Sequence, residues 1–179
     1  LKKNIDGLEF EAAQVLAKQI GHVPVQELGL EAKSEGLRKD SVRNLAKSYE
    51  DTKAADALRS ALDTRYRDVK TLAATELASK RDGAAFDFLK SLLTSDRKPE
   101  QRSAIAALRK LGDKRSSSIF LDRIDDDPAG TALHSELFSA VGDARNSFVL
   151  ERLIQAIKKD KHRNAAFNAT FKITGYDQA

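Results

Sequence analysis

Aspartate returns on a fixed beat along this chain. Asp51, Asp82, Asp113 and Asp143 lie 31, 31 and 30 residues apart, each between two stretches whose apolar residues follow helical spacing. A period in the range of roughly 20–50 residues marks a solenoid, whose units bury their apolar faces only against their neighbours. The beat therefore predicts stacked helical hairpins, and it weighs against most enzyme folds.

Aligned on these acids, the chain shows apolar columns. Six residues past each Asp stand Ala57, Phe88, Ile119 and Val149. Seven past stand Leu58, Leu89, Phe120 and Leu150, and eleven past stand Leu62, Leu93, Ile124 and Ile154. Positions i, i+1 and i+5 make one buried stripe on a helix. The expected second helices run over 52–63, 83–94, 114–125 and 144–158. First helices are expected over 40–49, 67–80, 98–111 and 129–141, where Ala46, Leu77, Leu108 and Phe138 form a column five residues before each acid. Leu8–Ile20 and Val25–Lys33 read as an N-terminal pair, and Asn164–Ile173 as a last helix stopped by Gly175.

Turn chemistry agrees. Gly112-Asp113 and Gly142-Asp143 each put a left-handed glycine before an acid able to cap the next helix. Asp127-Pro128 pairs an N-cap acid with a proline at the first helical position, and Pro99 opens another helix after Asp96. No linker or composition shift interrupts the 179 residues, so the expectation is one domain over 1–179. The start Leu-Lys-Lys-Asn, with neither an initiator methionine nor a charged-then-apolar signal segment, suggests a piece of a longer chain.

Composition narrows the function classes. Charged residues make up 32% and aromatics 6%, which suits a helix-rich chain better than an all-β sandwich. Cysteine is absent, excluding disulfides, thiolate metal sites and thiol nucleophiles. No run of apolar residues is long enough to span a membrane, so the expected location is cytoplasmic. The net charge of +4 permits an anionic partner without requiring one.

The stretch from Pro99 to Asp113 (PEQRSAIAALRKLGD) resembles the first helix and turn of a HEAT-like repeat, of the short bacterial type found among phycobilin-lyase relatives. Phe138–Asp143 (FSAVGD) is a weaker copy, and Ala169–Asp177 resembles the closing segment of such arrays. Glu50 and Arg81 stand where glycine is expected before the acid. The resemblance implies an all-α, right-handed α-solenoid of about five antiparallel helix pairs plus one helix, with second helices lining a concave face. It implies scaffolding or macromolecular binding rather than catalysis. Some HEAT repeats pair a second-helix Arg with the turn Asp. Here the column six past each Asp is apolar, so no such ladder is expected.

Each candidate site has a plainer reading beside it. The turn acids could be a row of ligands, but capping explains both their recurrence and their position. The groove side of the second helices would show Asp56, Arg59, Asp87, Lys90, Asp122, Glu151 and Arg152, with Phe148 nearby. Their alternating signs fit a protein or peptide better than a phosphate backbone, or else simply a solvated face. Asp56 with Arg59, and Asp87 with Lys90, can pair at i,i+3. Arg109, Lys110, Lys114 and Arg115 form a basic patch that could touch nucleic acid, as could Lys158–Arg163, but no aromatics interleave them. The three histidines are not expected to cluster. Asp125-Asp126-Asp127 lacks a spaced ligand loop, so no metal is expected, nor any cofactor.

The sequence reading is thus a scaffold that binds another protein or peptide, with nucleic acid as the alternative. Its oligomeric state is left open, and a lyase or base-excision activity rests on fold analogy alone.

Overall fold

The computed structural model describes residues 22–126, 133–159 and 162–175, together with Ala12 and Val15. Among the described residues every regular element is helical. The expected helix Leu8–Ile20 lies outside them except for Ala12 and Val15, both helical; Asp127-Pro128 and Lys161 lie outside altogether. The chain forms two compact units, Leu1–Phe88 and Leu89–Ala179.

The first unit contains α1 (His22–Leu30), α2 (Glu35–Lys47), α3 (Thr52–Ser60) and α4 (Arg67–Ser79). Ser34 caps α2, its hydroxyl accepting from the Leu37 amide, so this helix starts five residues earlier than the 40–49 expected. The second helix expected over 52–63 is α-helical only to Ser60 and tightens into a 3₁₀ turn over Ala61–Asp63. First helices α2 and α4 pack together, as do second helices α1 and α3, and α2 packs on α3. Two rows of helices therefore share one apolar seam, with Val42, Leu45, Leu58, Val69 and Leu77 almost wholly buried. Such side chains supply about 1.5–3 kcal/mol each on burial.

Helix α5 (Phe86–Leu92) follows a 3₁₀ turn over Gly83–Ala85. The second unit then contains α6 (Lys98–Leu111), α7 (Arg115–Asp125), α8 (His134–Asp143), α9 (Leu150–Lys158) and α10 (Arg163–Thr174). Pro99 sits in the first turn of α6, where its missing N–H costs nothing. Here α6 packs on α8, α8 on α10 and α7, and α9 on α10. The seam runs through Leu108, Phe120, Leu137, Phe138 and Leu153. Within each unit the hairpins stack in the manner of an α-solenoid.

The fourth beat is corrected by the structure. Asp143 was expected to cap the following helix, but it is the last residue of α8. The cap is Asn146, whose side-chain oxygen accepts from the Phe148 amide at 3.1 Å. The acids Asp51, Asp82 and Asp113 do cap, accepting from Lys53, Ala84 and Arg115 amides at 2.8–2.9 Å. The cap positions are thus 51, 82, 113 and 146, and the fourth turn arrives three residues late.

The delay shifts the last helix. Leu153, fully buried, replaces Leu150 in the seam, and Ile154, expected inside, is 44% exposed. The residue before the cap is left-handed in three of the four turns: Arg81 (φ 58°), Gly112 (φ 70°) and Arg145 (φ 47°). Turn geometry is therefore kept even where glycine is absent. Gly142, expected to be a turn glycine, lies inside α8 and serves close packing: a Cβ there would come within 2.9 Å of Lys172 Cδ and 3.1 Å of Ala169 Cα on α10.

Candidate functional site

The expected groove residues all reach the surface, yet they divide into two kinds. Arg59 projects from α3 to Asp82 in the next turn, its Nε 2.7 Å from a carboxylate oxygen, and also holds Asp56 at 2.8 Å. Tyr49 donates its hydroxyl to the same Asp82 at 2.5 Å. Arg152 on α9 reaches back to α7, touching Asp122 at 2.8 Å and Asp125 at 2.6 Å. These arginines tie one repeat to the next. The expected absence of an Arg–Asp ladder is overturned at Asp82, because the arginine comes from eight residues past the cap rather than six.

Asp87, Lys90 and Glu151 are the other kind. All three are exposed, and none has an ion-pair partner among the described residues; the Asp87–Lys90 pair that their spacing allows is not formed. Beside Glu151, Phe148 is 91% exposed, standing in the 3₁₀ turn Ser147–Val149. That turn is anchored by Asn146, itself buried, whose Nδ2 donates to the Lys114 carbonyl and to Ser117 Oγ at 3.0 and 2.8 Å. A bare aromatic is thereby held on a fixed backbone.

The first helices carry clamps of their own, which sequence reasoning missed. Buried Arg38 on α2 reaches Asp68 on α4 at 3.0 Å, donates to the Ala32 and Lys33 carbonyls, and lies 4.0 Å over the Tyr66 ring. Arg102 pairs with Glu136 at 3.1 Å. Arg109 pairs with Asp143, which Lys172 also reaches at 2.8 Å. The signal was there to find: 38/68, 102/136, 109/143 and 122/152 are complementary charges offset by 30 to 34 residues, about one repeat.

Those clamps alter the candidate nucleic-acid patch. Arg109 is engaged by Asp143, and Arg115 folds back on its own cap, Asp113, at 2.6 Å. Only Lys110 and Lys114 of the four stand exposed without an ion-pair partner among the described residues. Continuous phosphate tracking needs a denser positive row than that.

The turn acids also show shifted ionisation. Burial pushes the Asp82 carboxyl up, but the Tyr49 hydroxyl, the Ala84 amide and Arg59 outweigh it and hold it below its ordinary value. At Asp143 burial is likewise outweighed, by Lys172 and Arg109. Asp113 is lowered chiefly by its Arg115 partner. These are the marks of structural ion pairs.

The histidines depart from expectation. His134 on α8 is buried, and its Nδ1 lies 2.9 Å from His162 Nε2, with the rings edge-to-face. They lie 28 residues apart in sequence, and the packing of α8 against α10 brings them together. In the first unit a cleft of about 600 Å³ opens between α1 and α3, with His22, Pro24, Glu27, Asp51 and Asp56 on its walls. Among the described residues, no group of three or more His, Asp or Glu side chains could hold a metal. No helix among them is long and apolar enough to cross a membrane.

Among curated proteins none matches this chain. Residues 57–137 match the family model of HEAT repeats, a stretch that includes two of the caps and the hairpins around them. Recurring hairpins, recurring caps and this match together support a HEAT-like repeat family.

Proposed function

We propose that this chain is a protein-binding scaffold that presents the outer faces of its second helices to a protein or peptide partner. Solenoid repeats offer extended rigid surfaces of this kind. The observation that carries the reading is Phe148, an aromatic left 91% exposed on a pinned turn next to Glu151 and the Arg152–Asp122 clamp. Rigid aromatics ringed by polar groups are the usual anchors of protein interfaces. Asp87 and Lys90 contribute charge to the α5 face in the same way, while Arg59, Asp122 and Arg152 hold the framework. Asp56 lines the cleft of the first unit. The reading includes a cytoplasmic location and no catalytic role.

The test is affinity capture with the wild-type chain and with a Phe148→Ser/Glu151→Lys variant, each repeated after nuclease treatment. A protein retained by wild type through nuclease and lost from the variant, at unchanged melting temperature, supports the reading. Retention of the same proteins by both would overturn it at this face. Capture abolished by nuclease would transfer the function to nucleic acid.

A further inference from the structure

The register of the caps accounts for the exposure of Phe148. Counted from the caps at 51, 82, 113 and 146, the position two residues on holds Lys53, Ala84, Arg115 and Phe148. All four are exposed. The first three belong to repeats with further helices on both sides of them in the chain, so exposure at this position comes with the turn itself. Three and seven residues beyond Arg115 stand Ser118 and Asp122, and beyond Phe148 stand Glu151 and Gln155, again all exposed. The spacing i, i+3, i+7 makes one outward stripe on each second helix. Of these six side chains in the second unit, the ring alone is apolar. Such a face has neither a sheet edge nor an apolar trough, and the common ways of holding an unmodified linear peptide need one or the other. A single ring, 91% exposed on a turn pinned by Asn146, is a knob. Taking it out of water requires a concave apolar pocket, which the partner has to supply.

Charge sets how that pocket is oriented. At the turn end, Arg115 is neutralised by Asp113, which leaves Lys114 and Arg145, both exposed and without an ion-pair partner among the described residues. The Asn146 side chain, bonded to the Lys114 carbonyl, holds their two turns together. Along the helices the sign reverses. Asp122 and Asp125 share the single guanidinium of Arg152, and Glu151 adds a further unpaired carboxylate. The ring thus stands between a positive end and a negative end, an arrangement that selects partners and fixes their register more than it adds affinity. We infer that the partner at Phe148 is a folded domain whose apolar pocket receives the ring. One lip of that pocket carries carboxylates toward Lys114 and Arg145, and the other carries cations toward Glu151 and Asp122. This rests on the second-helix reading, since the ring anchors both, and it goes further in requiring a folded partner rather than a linear peptide.

The experiment places the photo-crosslinker p-benzoylphenylalanine at position 148 of the full chain. It is illuminated in native lysate and in the same lysate digested to peptides, and the products are mapped by mass spectrometry. The native arm is expected to give crosslinks to two or more segments far apart in the sequence of one protein, the walls of a pocket. The digest should give none. With that protein purified, Phe148→Ala should weaken binding about thirtyfold, the loss typical of a central anchor. Lys114→Glu and Glu151→Lys should each weaken it about threefold, at unchanged melting temperature. Crosslinks that persist in the digest, or that fall in one contiguous segment, would overturn the inference in favour of a linear peptide. Proteins retained by the chain without any crosslink from position 148 would overturn it while leaving a scaffold that binds elsewhere. No protein retained in either arm would remove the second-helix reading, and this inference with it. Unchanged binding in both charge variants would overturn the assignment of the two lips.

Discussion

At the scale of single residues, Gly142 and Arg145 carry the sharpest consequences. Gly142 lets α8 approach α10 until the Ala169 backbone lies where a side chain would begin. Gly142→Ala should therefore lower the stability of the second unit, the overpacking cost of about 1–3 kcal/mol outweighing the roughly 0.5–1 kcal/mol that alanine gains over glycine in a helix. Urea unfolding followed by circular dichroism measures it, and a change within error would mean the helices can part freely. Arg145 holds a left-handed backbone at φ 47° without being glycine. Replacing it by glycine removes steric cost but adds freedom to the unfolded chain, so Arg145→Gly should raise stability by a net of roughly 0.5–1 kcal/mol. Arg81→Gly, at φ 58°, should behave alike in the first unit. A loss of stability in both would show that the arginine side chains outweigh the backbone.

At the scale of elements, the recurring device is an acid at a helix end that receives a cation from another repeat, as Asp82 and Asp143 do. Asp82 caps its own 3₁₀ turn through Ala84 while binding Arg59 and Tyr49. Its carboxyl is held below the ordinary value, so the folded state binds this proton less readily than the unfolded chain does. Its contribution is present above the ordinary carboxylate pKa, about 4, and is lost as pH falls through the lowered folded value. Asp82→Asn keeps the shape and part of the cap but cannot titrate. The variant should be less stable than wild type at neutral pH, by about 1–2 kcal/mol, and the gap should close below about pH 4. A gap constant from pH 7 to pH 3 would exclude the ion pair as its source. Asp143 sits between Arg109 and Lys172 with its carboxyl lowered in the same sense, so Asp143→Asn should give the same pattern in the second unit.

At the scale of the whole molecule, a count of its cations overstates the positive field that a basic patch opens to a ligand. In the 109–115 patch, Arg109 and Arg115 are tied to Asp143 and Asp113, leaving Lys110 and Lys114 exposed. Two cations release about two counterions, so duplex DNA bound through this patch should show a log–log salt slope no steeper than about −2. A slope near −4 or beyond would restore the nucleic-acid reading. Protein binding through Phe148 should instead vary weakly with salt, because its anchor is apolar.

The helical hairpins and most of the buried seam were determined locally, by the spacing of apolar residues and by acids that can cap a helix within two residues of themselves. Ala46, Leu77, Leu108 and Phe138 are all buried as their column required, and Asp51, Asp82 and Asp113 cap as their positions required. The late fourth turn was decided only in three dimensions. Glycine and aspartate at 142–143 satisfy the local rule for a turn, yet contact with Ala169 and Lys172 on α10 favours continuing α8, and Asn146 gains partners on α7 by capping instead. The clamps from Arg38, Arg59, Arg109 and Arg152 belong to the same class, as does the meeting of His134 with His162. A long side chain chooses its partner by distance across the stack, and that distance exists only once the repeats have packed.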